Sequence, residues 1–292
     1  MHSFDLKKKI NTIMKKHFYS MLTGTVLFSI LHLNIQAQSF TEKIVLGPGK
    51  TIKMFSIDSS DLVQKQGEDE MPMKTISESV TEIKLMPNST ENINLLTTLQ
   101  KIKIHFEGYG QKMDYDSENP AKQEGMMAAN IKELIGKTDS LICDANGKIM
   151  EAEEKEKPKG KGRGMMRRMQ QGPNFENAFL LIPKEAKVGS GWKADKEKEG
   201  IRTQTIYFLD KIEGNIASVS FKRKSKGTSS IEIQGMQSTN EVDNLSDGLI
   251  TVDITTGLVQ TFEETLKTNS KMNMMGKEIP STGVTVTKVR FE

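Results

Sequence analysis

The residues best placed to do chemistry are the acids of Asp114-Tyr115-Asp116-Ser117-Glu118-Asn119, where positions 114, 116 and 118 carry carboxylates. Alternate oxygens open a calcium loop, because a chain turning around the ion aims every second side chain at it. The pattern then fails. The sixth position is Asn119 rather than the glycine a sharp turn needs, and the twelfth is Gly125 rather than a bidentate glutamate. The segment reads instead as a strand ending in a polar turn, with Ser117 or Asn119 capping the amides that follow.

Histidine and cysteine offer little more. His2, His17 and His32 lie in the first 37 residues, so His105 is the one histidine beyond them, and Cys143 is the one cysteine. A zinc site would have to draw its other ligands from carboxylates or Cys143, an uncommon set. No Gly-x-Ser-x-Gly elbow presents a serine to His105. A pair of carboxylates can hydrolyse glycosides without histidine, but nothing singles out a pair, and Trp192 is the only tryptophan a sugar platform would have. We therefore assign no catalytic residue, no metal ligand and no cofactor. Cys143 reads as a small buried residue on a strand, and a lone cysteine closes no intramolecular disulfide.

The first 37 residues carry an address. Lys7, Lys8, Lys9, Lys15 and Lys16 precede an apolar stretch from Phe18 to Ile35, which ends at Ile35-Gln36-Ala37. Positive region, apolar run and small-residue cleavage site, in that order, make a secretory signal peptide. Its lysines also account for the charge. The segment has five bases and one acid, Asp5, so the remaining 36 bases and 37 acids sum to −1 rather than the +3 of the whole chain. A near-neutral protein has no global electrostatic reason to bind nucleic acid. No later apolar run approaches the roughly 18 residues that span a bilayer. The expectation is a soluble exported protein, periplasmic or extracellular, with no transmembrane segment after cleavage.

Period-two alternation dominates the rest. In Lys101-Ile102-Lys103-Ile104-His105-Phe106 the apolar residues share one face, and Lys101, Lys103 and His105 share the other. That is a strand with one buried and one wet side, as in antiparallel sheets. Similar patterns predict strands over 74–85, 108–115, 140–143, 148–153, 201–210, 216–224, 228–242, 249–252, 258–268 and 283–291, joined by short turns such as Asn146-Gly147 and Glu213-Gly214-Asn215. One helix is expected at about 120–135. Asn119 is its N-cap, Pro120 its first residue and Gly136 its stop, with Met127, Ile131 and Leu134 at helical spacing. A helical turn is also expected over 174–181. From Ala152 to Gly172 the chain is low in complexity, rich in Glu, Lys, Gly and Met, and reads as a mobile loop. The organisation predicted is a signal peptide over 1–37, an N-terminal β half over 38–151, the loop over 152–172 and a C-terminal β half over 173–292. The fold class is mainly β: a long antiparallel meander forming a curved sheet, half-barrel or sandwich, with one or two short helices packed on it.

Fifteen methionines lie beyond the signal segment. Flexible thioethers suit adaptable apolar surfaces. The face with Ile102, Ile104 and Phe106 and the helix face with Met127, Ile131 and Leu134 are the expected ligand-binding lining. The function read from these features is a non-catalytic exported binding protein for an apolar or amphiphilic ligand, such as a lipid. The alternatives are a structural or protein-interaction module of the cell envelope and, third, a carboxylate-based hydrolase.

Three stretches carry a resemblance. Residues 113–120 (MDYDSENP), 183–192 (PKEAKVGSGW) and 248–259 (GLITVDITTGLV) are similar to exported β-rich proteins of unknown function found mainly in Bacteroidota-type bacteria. That resemblance implies export and a β-rich fold, and brings no catalytic residue with it. A more distant likeness, of architecture alone, is to periplasmic lipoprotein-carrier half-barrels.

Overall fold

A strand whose concave-side residues change from apolar to polar along its length can close a core at only one end. The long strands of this protein have that character. The computed structural model describes residues 39–47, 49–86, 92–123, 126–150, 175–233, 236–274 and 276–292. The expected signal peptide over 1–37 and the expected loop over 152–172 lie outside the described residues. Phe40–Glu292 form one compact unit. Its strands are β1 (Thr51–Gln66), β2 (Asp69–Met86), β3 (Ile93–Gly108), β4 (Gln111–Asp116), β5 (Thr138–Cys143) and β6 (Ile149–Met150), followed by β7 (Gly191–Lys198), β8 (Ile201–Glu213), β9 (Ile216–Ile233), β10 (Met236–Asp253), β11 (Val259–Met274) and β12 (Lys277–Phe291). All pair antiparallel in one open sheet of order β6-β5-β3-β2-β1-β12-β11-β10-β9-β8-β7, with β4 beside the second half of β3. The chain starts in the middle of this sheet, meanders out to one edge, crosses to the other and meanders back, so that β12 closes against β1.

Seven strands run much longer than their alternation suggests. β2, β9 and β10 have 18 residues each, about 60 Å at the usual rise. The expected strand over 228–242 is corrected: the chain reverses there, β9 ending at Ile233 and β10 starting at Met236. Apolar and polar residues on both sides of that reversal keep period two, so the pattern does not mark the turn.

The core sits at one end, here called the base. Ile52 and Met54 of β1, Ile83 and Leu85 of β2, Phe262 of β11 and Phe291 of β12 are buried together with Phe40, Phe175, Ala178 and Ile182 from two irregular segments. These segments strap the base. Ile44 N donates to Ala145 O at 2.8 Å, in the β5–β6 turn, and Val45 N donates to Thr256 O at 3.0 Å, in the β10–β11 turn. The two turns are six strand spacings apart along the sheet, roughly 29 Å. Adjacent residues of one strap reach both, so across the base the acceptors are no more than about 10 Å apart. The sheet is therefore rolled tightly there, with the apolar side inward. Phe179 adds a second tie, bridging Leu258 and packing against Gly147.

Three bulges fit this roll. Gln100 in β3, Asp210 in β8 and Gln260 in β11 are each skipped by the partner strand. The Gln100 bulge keeps Leu95, Thr97 and Leu99 on the same face as Ile102, Ile104 and Phe106, although the two sets are out of phase in sequence.

Candidate functional site

Register places every residue of the concave face. Beyond the base the first row runs Ser79, Ser56, Val289, Phe262, Ile250 and Val219, and the next Ser77, Asp58, Thr287, Glu264, Gly248 and Phe221. A third has Phe106, Thr75, Ser60, Thr285, Leu266, Ser246 and Arg223. The face thus turns from apolar to hydroxyl-rich within two rows, then regains apolar side chains at Leu62 and Met73.

The polar belt is bonded from within. Thr287 Oγ1 donates to Asp58 Oδ1 at 2.6 Å, and Ser56 Oγ donates to Asp58 Oδ2 at 3.0 Å. Ser60 and Thr285 share a hydrogen bond of 2.9 Å. Arg223 Nη1 and Ser246 Oγ both donate to Glu264 Oε1, at 2.9 and 2.6 Å, while Arg223 Nε donates to Thr205 Oγ1 at 3.3 Å. The Arg223–Glu264 pair is largely covered, its side chains 21% and 13% exposed. Arg223 also lies over the Phe221 ring, 5.1 Å from its centre. That ring belongs to an aromatic row: Trp192 stacks on Tyr207 at 5.2 Å, Tyr207 meets Phe221 at 6.3 Å, and Phe221 stacks on Phe262 at 5.6 Å. Gly248 lies opposite Phe221, and its missing side chain is what lets the Phe221 ring lie across β10.

The expected lining residues divide. Ile104 of β3 packs with Tyr115, Ala128 and Ile131, so the short helix α1 (Met126–Lys132) lies on the concave face at the β3–β4 edge. Ile102 is half-buried against that cluster, and Phe106 and Leu134 are half-buried. The Met127 side chain lies outside the described residues. Asn119 accepts from Ala121 N at 3.1 Å and caps a 3-10 turn at Pro120–Lys122. The second expected turn forms a 3-10 helix at Phe175–Asn177.

The acids of the 114–119 segment diverge rather than converge. Asp114 accepts from His105 at 2.7 Å, Asp116 accepts from Glu118 N at 2.9 Å, and Glu118 pairs with Lys101. His105 is less open than its polar-face position implies. Register sets it opposite Asp114 on β4, and Glu107 lies 3.4 Å from its other nitrogen. The hydrogen bond from His105 holds the Asp114 carboxyl below its ordinary range, and Lys112 does the same for Glu107. Among the described residues no group of three or more His, Cys, Asp or Glu is arranged to hold a metal. Cys143 is fully buried in β5, and burial pushes its thiol up to about 11.

The sequence reading missed the polar belt. Its members lie on six different strands, and the one signal for them is serine and threonine at period two, as in Ser56, Asp58 and Ser60.

Fold and surface together define an open, rolled antiparallel sheet, strapped at one end and covered by α1 at the β3–β4 edge of its concave face. Residues 168–259 match a family of unknown function (DUF6263). No curated protein matches the chain. Among solved structures, one of lipid–protein interactions in lipovitellin is similar with a TM-score of 0.50 and 12% identity, over 85% of this chain and 25% of that one. The chain thus spans about a quarter of that structure's length, and the likeness is one of fold. OpdQ from Pseudomonas aeruginosa aligns over 83% of this chain and 99% of its own, with a TM-score of 0.24 and 6% identity. Among the described residues no helix is long and apolar enough to cross a membrane.

Proposed function

We infer that the protein is an exported, non-catalytic binding protein that holds an apolar or amphiphilic ligand on its concave face. One observation carries this. The straps close the base, yet the same face continues well beyond it with a polar belt and then half-buried Leu62 and Met73. A sheet needs a cover over an apolar face, and an amphiphile matches one on which apolar and polar rows alternate. Ile102 and Phe106 are the lateral wall of this surface, Ile104 and Ile131 hold α1 beneath it, and Leu134 belongs to the helix side. Lipovitellin, whose structure describes lipid–protein interactions, shares this kind of sheet.

Mass spectrometry of extracts from the purified protein tests the reading. A stoichiometric amphiphile is expected, lost when Phe106 is replaced by Asp in a protein that stays folded. Ligand-free protein that also takes up no apolar fluorescent probe would sink it.

A second reading, an interaction module of the envelope, is favoured by the convex face. Phe208, Leu249 and Val286 line a depression of about 320 Å³ there, with Phe208 and Leu249 40% and 44% exposed. Cross-linking that captured an envelope protein through this face alone would favour it.

A further inference from the structure

The geometry points to an ammonium-bearing amphiphile as the preferred occupant of the concave face, with Asp58 as its counter-ion. This rests on the reading of that face as a binding surface. Three charged side chains occupy the belt: Asp58, Glu264 and Arg223. Glu264 is neutralised by Arg223. Asp58 is not neutralised. Its two oxygens accept from Ser56 and Thr287, which are uncharged, and among the described residues no cation pairs with it. Its neighbours across both strand pairs, Ser77 and Thr287, bring no charge either.

A half-buried carboxylate without a cation is tolerable while water reaches it. Once an apolar chain covers the belt, the water leaves and the charge must be paired or it opposes binding. Hydroxyl hydrogen bonds fix the carboxylate in place but leave its charge intact. A cation above Asp58 completes the site, a neutral head leaves it unpaired, and an anionic head sets two like charges together. Four residues along β1 from Asp58, about 13 Å, lies Leu62, with Met73 beside it on β2. Leu266 flanks the same path on β11, opposite Thr285. All three are half-buried and mark a track for a single alkyl tail.

The test uses three probes that share a twelve-carbon tail: dodecylammonium, dodecanol and dodecanoate. Each is titrated calorimetrically into the protein, the two ionic probes below their critical micelle concentrations and dodecanol below its solubility limit. Dodecylammonium should bind roughly tenfold more tightly than dodecanol, the scale of one charge-assisted hydrogen bond, and dodecanoate more weakly than either. Asp58→Asn should bring dodecylammonium and dodecanol level. Ser77→Lys, which leaves Asp58 in place and sets a cation beside it, should weaken dodecylammonium and strengthen dodecanoate, and it covers the case in which Asp58→Asn fails to fold. Equal binding of all three probes, or an order that survives both substitutions, overturns the inference while leaving the binding surface standing. If none binds, the surface itself is refuted and the inference with it.

Discussion

Gly248→Ala isolates the close packing of Phe221 across β10. A methyl group at Gly248 would lie 2.0 Å from the carbonyl oxygen of Glu263 and 2.7 Å from two ring carbons of Phe221. Side-chain carbons essentially never come within 3.0 Å of such atoms. The ring has little freedom to give, because it stacks on Phe262 with the planes 17° apart. The carbonyl has less, since it belongs to the β11 backbone next to the β10–β11 ladder. Relief therefore needs β10 and β11 to part by about an ångström. Overpacking of this kind costs about 1–3 kcal/mol. Replacing glycine also restricts the unfolded chain, which would recover about 0.4–1 kcal/mol at a site without a clash. Net destabilisation of about 1–2 kcal/mol is expected, read as a lower urea midpoint at unchanged slope. Repeating the change in a Phe221→Leu background separates the two contacts. The part due to the ring should vanish there, and the part due to the carbonyl should remain. A neutral or stabilising Gly248→Ala would show that the Phe221 ring and the Glu263 carbonyl do not close on β10 at this row.

Two further outcomes follow from the titrating groups. Cys143, buried and with its thiol pushed up to about 11, should resist iodoacetamide at pH 8 in the native state and react readily in denaturant; fast native labelling would place it at the surface. Asp114 titrates below its ordinary range because His105 bonds to it, so any stability it adds is present above the unfolded carboxyl pKa and is lost as pH falls through the lowered folded value. His105→Ala should return the Asp114 carboxyl toward its ordinary range, followed by carbon NMR across pH 2 to 6, and an unmoved titration would mean the pair does not form in solution.

The antiparallel character and the short turns were legible in the sequence because each depends on neighbours within a few residues. The Lys101–Phe106 alternation is an example. The expected helix over 120–135 is corrected: Asn119 caps a 3-10 turn at Pro120–Lys122, and the α-helix is a separate element at Met126–Lys132. Strand length was not legible, for two physical reasons. A bulge resets the phase of alternation, so Leu95–Leu99 and Ile102–Phe106 read as unrelated although they line one face of one strand. The belt also removes apolar contrast: in Lys222-Arg223-Lys224-Ser225-Lys226 both faces of β9 are polar, and period two has nothing to show. The pairing of His105 with Asp114 and the Arg223–Glu264–Ser246 group depend on register between strands, which no local spacing encodes.

The division of labour along the strands bears on where function resides. The base, with its straps, bulges and stacked rings, is where burial is concentrated. The belt is different. A face selected only for stability would continue the rows of Ile, Val and Phe under a cover, because each serine or threonine in their place gives up apolar burial and must find a hydrogen-bond partner. Here Ser56, Ser60, Ser246, Thr285 and Thr287 have found such partners, and they surround the carboxylates Asp58 and Glu264. Hydrogen bonds that satisfy a polar row explain how the sheet tolerates it, but not why the row is polar. On the function proposed above, a ligand with a polar head would supply the reason, with specificity in the belt and affinity in the flanking apolar rows.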